Sequence, residues 1–204
     1  MASISCRCGT VKIQFTSDTP RVTTECCCNH CFSRVGYLET LGGPKIPSSD
    51  KPLLASKWDN KVKITESGRD KLYAYKMTPE TGVINIASTC CHTFLLGRHS
   101  GYDANCVPTS DDFSIFSRNS KRMASSSRWF SNQWDKDRLS KLDYIPGIWV
   151  NEKDGSLSGD QGWEPIFEAH KAAMESDISQ GAEGESFEEI IDSIGRDKIK
   201  IVFS

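Results

Sequence analysis

Val11-Lys12-Ile13-Gln14-Phe15 alternates apolar and polar side chains, and Lys61-Val62-Lys63-Ile64-Thr65 repeats the pattern. Successive side chains of a strand point to opposite faces, so both segments predict half-buried strands. Residues 72–77 and 83–87, rich in β-branched and aromatic side chains, predict two more strands around a turn at Pro79 and Gly82. Residues 1–100 therefore predict mostly short strands. Residues 39–57, with Gly42, Gly43, Pro44, Pro47 and Pro52, predict a loop, as does the serine-rich stretch 117–131. After Ile148-Trp149-Val150 the period lengthens. Ile166, Phe167, His170, Ala173 and Met174 fall on one side of a helix beginning after Pro165, and Phe187–Ile194 predicts a second helix closed by Gly195. Residues 179–185 read as a polar linker and 199–203 as a last strand.

At 204 residues the chain can bury a substantial core. The expectation is a mainly β domain over residues 1–150 with an acidic, α-rich extension over 151–204, packed on it or tethered to it. The extension holds five Lys/Arg and thirteen Asp/Glu, net −8, which leaves 20 and 14, net +6, for residues 1–150. Arg118, Lys121, Arg122, Arg128, Lys136, Arg138 and Lys141 interleave with Trp129, Phe130 and Trp134. A nucleic-acid surface can look like this, but the domain is not strongly basic, so the expectation is a solvated loop whose aromatics fold back onto the core. Local positive charge also suits an anionic small molecule. Residues 1–5 lack the features of a secretory signal, and no stretch has the roughly 18 apolar residues of a membrane span, so the expectation is a soluble cytoplasmic protein without membrane partners.

Nine cysteines change the picture. Cys6-Arg7-Cys8-Gly9 is followed by the triplet Cys26-Cys27-Cys28-Asn29-His30-Cys31, a C-x-C-x-x-C spacing whose thiolates can converge on one tetrahedral Zn²⁺. A disulfide framework is the rival, but adjacent and next-neighbour cysteines pair badly because their Cβ vectors diverge. A reducing compartment also favours metal over cross-links. Cys27 and Cys106 are expected in the core. His30, inside the triplet, is either a proton shuttle beside the metal or a solvent-facing turn histidine. His99 carries no positional signal, and His170, on the apolar side of its helix, reads as a satisfied core histidine.

The order Cys6-x-Cys8-Gly9, a strand, the triplet, then strands ending at Cys90-Cys91-His92-Thr93 resembles the family of glutathione-dependent formaldehyde-activating enzymes and centromere protein V. The resemblance covers roughly residues 4–100, about half the chain. It implies a β-tent fold with two zinc sites: one on Cys26, Cys28 and Cys31, the other on the first pair and a later C-x-x-C-G-[ST]. The sequence departs from that second motif, since Ser88 stands at its first cysteine and His92 at its glycine, while Cys91 and Thr93 fit. Three readings stay open: Cys90 or His92 supplies a shifted fourth ligand, the site has weakened or been lost, or Cys90 and Cys91 serve no metal.

Three thiolate ligands would leave one zinc position open, as in catalytic rather than structural sites, and would make the metal a weak Lewis acid better suited to thiol exchange than hydrolysis. The resemblance implies the reversible union of glutathione with a carbonyl compound such as formaldehyde, a carbon–sulfur lyase reaction in reverse; the catalytic set expected for it is Cys26, Cys28 and Cys31, with His30 as the neighbouring proton shuttle. A bulkier substrate held by residues 97–146, with elimination, dehydration or isomerisation as the reaction, is the alternative within the enzyme class. Outside it stand a structural zinc completed by His30 and a non-catalytic module that binds protein or nucleic acid.

Overall fold

The structure, a computed structural model, describes residues 1–45, 50–98, 123–175 and 182–203, with 99, 115 and 116 as backbone. Cys106, Pro47, Arg118, Lys121, Arg122, much of the 97–146 segment and the start of the 179–185 linker lie outside the described residues.

The alternating segment after the first cysteine pair forms β2 (Lys12–Phe15), antiparallel to β1 (Ser3–Ser5). Ile13 and Phe15 are buried while Lys12 is exposed, as the period-two pattern requires. Strand β3 (Val22–Cys26) leads into helix α1 (Asn29–Thr40) and back to β4 (Leu53–Lys57), antiparallel to β3. β5 (Val62–Ile64) returns to β2, and the single turn α2 (Glu66–Arg69) precedes the hairpin of β6 (Leu72–Lys76) and β7 (Val83–Ser88). β8 (Phe94–His99) pairs with β7 and β9 (Ile115–Phe116) with β1. β10 (Arg128–Trp129), the short α3 (Lys136–Leu139), β11 (Gly147–Val150), β12 (Leu157–Gly159), α4 (Trp163–Glu175), α5 (Phe187–Ile194) and β13 (Lys200–Ile201) complete the order.

These elements form a mixed α/β protein, mostly sheet. The sheets run β5-β2-β1-β9, β12-β11-β10-β3-β4 and β13-β6-β7-β8. The first is antiparallel; in the second β10 lies parallel to β3 and β11, and in the third β13 lies parallel to β6. One core joins Ile4, Val11, Ile13, Phe15 and Trp58 to Phe187, Ile190 and Ile191 of α5, with the Phe15 and Trp58 rings stacked 4.3 Å apart. A second joins Cys26, Cys28, Val35, Leu38 and Leu53 to Tyr75, Met77 and Phe94. No helix among the described residues is long and apolar enough to cross a membrane.

Several elements differ from the sequence reading, and β10 is one, since it lies inside the serine-rich stretch 117–131 expected to be a loop. Helix α1 occupies a region expected to hold strands; its N-cap is the Cys28 sulfur, which accepts the Cys31 N–H at 3.2 Å in place of the usual hydroxyl or carboxylate. β4 lies inside the stretch expected to be a loop. α4 starts at Trp163, with Pro165 inside its first turn, where a missing N–H breaks no helical bond.

Candidate metal centres

The first cluster is built by two turns. Gly9, at φ +80°, closes the turn after β1, and its N–H donates to the Cys6 carbonyl at 2.9 Å. A side chain disfavours that left-handed region, so glycine fits where Cys6 and Cys8 must face one point. The other turn joins β7 to β8 and carries Cys90 and Cys91. The two are stitched together by the Arg7 N–H, which donates to Thr93 Oγ1 at 3.0 Å. Cys6 Sγ lies 3.4 Å from Cys8 and 3.8 Å from Cys90; Cys8 and Cys90 are 3.3 Å apart, and Cys90 and Cys91 4.0 Å. All four sulfurs lie within 4.8 Å of one another. Corners of a tetrahedron with bonds of 2.3 Å are about 3.8 Å apart, so the four thiols fit one zinc ion. Among the described residues, Cys90 is grouped with Cys6, Cys8 and Cys91, and Ser88 and His92 are not.

His92 and Ser88 stay out of that group. His92 adopts φ +47°, its ring packs edge-on to Tyr73, and its Nδ1 is buried without a hydrogen-bond partner among the described residues. The Ser88 hydroxyl accepts the Thr93 N–H at 3.1 Å and lies 3.5 Å from Cys91 Sγ, so it fastens the turn. The Thr10 hydroxyl beside exposed Cys8 lowers that thiol to about 6, which favours the thiolate a metal needs.

The second cluster sits where β3 gives way to α1. Cys26 Sγ is 3.3 Å from Cys28 and 3.2 Å from Cys31, and all three sulfurs lie within 4.8 Å of one another. The peptide between them is fixed from outside: the Trp134 indole donates to the Cys27 carbonyl at 3.0 Å and the Asn29 N–H to Gln133 Oε1 at 3.0 Å. Cys27 itself points into the core, and burial pushes its thiol up to about 12, which leaves it an inert packing residue. Hydrogen bonds from Cys26 and Cys28 drive Cys31 well below the ordinary thiol range, while the same contacts and burial hold Cys26 well above it. A hydrogen bond with Cys26 lowers Cys28, but Cys31 and burial outweigh it and raise that thiol to about 12, so Cys31 is the sulfur of the three whose surroundings favour the thiolate.

A group the sequence reading missed stands behind this triad. Arg34 is buried on α1, one turn beyond Cys31; its Nη1 lies 3.4 Å from Asn85 Oδ1 and its guanidinium 5.4 Å from the Phe94 ring centre. Burial works against its charge, but the thiols of Cys31, Cys26 and Cys28 outweigh that and raise it. The Cys31-x-x-Arg34 spacing could have revealed it only with α1 in hand, since i,i+3 neighbours share a helix face.

His30 lies in the first turn of α1 with an exposed ring, its Nε2 3.4 Å from Thr81 Oγ1, and is not among the grouped ligands. No fourth His, Cys, Asp or Glu joins the triad among the described residues. His170 is buried at 4% exposure with Nε2 2.6 Å from Lys57 Nζ, a partner the sequence reading did not foresee. Of the basic and aromatic stretch, Trp134 is buried, Arg128 pairs with Glu25 at 2.7 Å and Arg138 lies over the Trp134 ring. The chain matches no family model, no curated protein and no solved structure.

Proposed function

We propose that the chain is a zinc-dependent, carbon–sulfur lyase-like enzyme that forms or breaks a glutathione-type thiol adduct of a carbonyl compound. The carrying observation is the triad: three thiol sulfurs converge at the start of α1, with no fourth ligand among the described residues. Cys26, Cys28 and Cys31 would hold the ion, and a fourth, open position would supply a place where a substrate thiol is kept as thiolate. The fold carrying it is then a β-tent, with Cys6, Cys8, Cys90 and Cys91 holding a second, structural zinc that closes the β1 and β7–β8 turns on each other.

The chain's own residues divide the remaining work. A dication with three thiolates carries net charge −1, and the buried guanidinium of Arg34 offsets it. The Cys31 N–H, donated to Cys28 Sγ, and the Trp134 and Gln133 contacts hold the sulfurs in register, so the open side keeps its shape. His30, exposed beside the triad, is in place to pass protons to solvent.

Zinc content and adduct chemistry test the reading together. The wild-type chain should carry two zinc ions and equilibrate glutathione with small aldehydes; Cys28→Ser should carry one, remain folded and lose the reaction. Full activity in Cys28→Ser would overturn the assignment. Activity absent from the wild type, with salt-sensitive retention on DNA instead, would favour the binding module.

A further inference from the structure

Lys57 closes β4 with its side chain buried, at 3% exposure. Burying an ammonium is costly, and lysines placed this way are commonly ones whose proton is used. Register puts it on the working face of its sheet: Lys57 is opposite Val22, Ala55 opposite Thr24 and Leu53 opposite Cys26. Opposed residues of a ladder share a face, so Lys57 projects to the same side as the Cys26 thiol. Trp129, opposite Cys26 on the other flank, is on that side too, and its ring centre lies 5.8 Å from Lys57 Nζ. Cys26 and Lys57 are separated by four residues of ladder, roughly 14 Å of backbone. The long side chain runs along that face, near enough to the triad that the charges of Cys26 and Cys31 act on its amine.

The neighbourhood is arranged around Nζ. His170 of α4 meets it at 2.6 Å through Nε2 and stacks beside Trp129, ring centres 5.5 Å apart. Its Nδ1 is buried without a partner among the described residues, so the imidazole's one strong contact is to the amine. Burial holds His170 down to about 3, with the lysine charge adding to it, so near neutrality it is the uncharged acceptor. Burial likewise draws Lys57 down from 10.5 to about 7, against the pull of Cys26 and Cys31. Among the described residues, those thiols on β3 and α1 and the imidazole on α4 are titratable groups that act on it. The Arg21–Asp59 pair nearby is closed at 2.6 Å, with Arg21 also donating to the Ala173 and Met174 carbonyls.

We propose that Lys57 is the residue that exchanges a proton with the carbonyl oxygen of the substrate at the cysteine triad, held in position by His170. This rests on the carbonyl–thiol reading above. In adduct formation the substrate thiolate, its proton already passed to solvent, forms the C–S bond through its sulfur, the C=O π pair moves to oxygen, and the Lys57 ammonium supplies the proton that makes the hydroxyl. In cleavage the neutral amine takes that proton, the O–H pair restores C=O, and the C–S pair returns to sulfur. Nothing is oxidised or reduced. Positioned proton transfer contributes on the order of 100-fold or more.

The test uses the full, zinc-loaded chain and two readouts. Side-chain NMR of selectively labelled lysine, assigned with Lys57→Arg, should show one amine titrating near neutrality; titration of Lys57 in the ordinary lysine range would overturn the proposal without reference to turnover. In the wild type the pH profile of glutathione–formaldehyde adduct formation should carry a limb near that midpoint. Lys57→Met should lose about 100-fold in rate with zinc content retained, and Lys57→Arg should lose the limb. His170→Gln, which keeps an acceptor, should preserve the limb, and His170→Leu should move it to lower pH because the ammonium loses its partner. If the wild type reacts and Lys57→Arg and Lys57→Met match its rate and profile, the proposal fails alone. If the wild type catalyses no adduct chemistry, the carbonyl–thiol reading fails and this proposal with it.

Discussion

Cys90 is the residue on which the first cluster turns. A serine hydroxyl is a poor zinc ligand, and Ser88 is engaged in the Thr93 turn; the sulfur two positions later is the one grouped with Cys6, Cys8 and Cys91. Cys90→Ser should therefore cost one zinc per chain and lower the melting temperature, because structural metal binding is coupled to folding. His92→Asn, which tolerates φ +47° better than most residues, should keep both ions; loss of zinc there would make the histidine the ligand. Arg34 acts at the same scale through charge. Arg34→Met should leave the helix intact yet weaken the triad's hold on zinc by roughly 10-fold or more in a chelator competition, since about 1.4 kcal/mol of lost charge compensation is a factor of ten. Unchanged retention would show that the guanidinium serves packing alone. Lys57 leaves a signature in stability as well. Its folded value is depressed, so between about 7 and 10.5 the unfolded chain binds the extra proton and wild-type stability relative to Lys57→Met should rise with pH. Denaturation of the two proteins across that window reads the difference directly.

At the scale of elements, helix α5 shows why some of the fold was legible. Ser186 accepts the Glu189 N–H at 3.2 Å while the Glu189 carboxylate accepts the Ser186 N–H at 2.7 Å, a reciprocal cap readable from sequence, and Phe187, Ile190 and Ile191 follow at helical spacing. Ser186→Ala should cost about 1 kcal/mol in urea denaturation, and an unchanged midpoint would mean that packing alone fixes the helix start. β2, β5, β6 and β7 were legible for a comparable reason, because alternation or β-branched runs survive in them. β3 was not, because Val22, Thr23 and Thr24 are buried on both faces and lose the alternation. β4 hides among prolines and glycines, and α1 depends on a sulfur cap that composition does not announce. The sequence located the cysteines of both clusters and put His170 on the apolar side of its helix, but not Arg34 or the contact of Lys57 with His170, which come from register and helix faces that only the folded chain brings together. Gly43 shows how tightly those pieces meet: a Cβ there would lie 2.5 Å from the His92 carbonyl oxygen and 2.7 Å from that of Leu38. It is the point where the end of α1 touches the turn of the first cluster, so Gly43→Ala should disturb both and lower the melting temperature.

Across the whole molecule, opposite net charges of the first 150 residues and the last 54 pose the question of what joins them. Two candidate forces meet at α5 and the segment before it. Lys63 pairs with Glu183 at 2.6 Å and Lys61 with Glu189 at 3.3 Å, while Arg69 pairs with Glu185 and Arg98 with Glu188. Against these stand Phe187, Ile190 and Ile191, fully buried among Ile4, Val11 and Ile13, and a two-way backbone bridge between Val62 and Glu185. Exposed ion pairs contribute little and are screened by salt, whereas fully burying an apolar side chain contributes about 1.5–3 kcal/mol. Burial wins, and the charge pattern sets which face of α5 turns outward rather than whether it docks. High salt should therefore shift the melting temperature only slightly, while Ile190→Ala should cost about 2–5 kcal/mol and a chain ending at residue 181 should lose cooperative unfolding. A large drop in high salt, with Ile190→Ala tolerated, would reverse that ranking and make the acidic segment an electrostatic attachment. Helix α5 shares a core with β1 and β2, the strands leading to and from the first cysteine turn, so removing it should also lower zinc occupancy at Cys6 and Cys8.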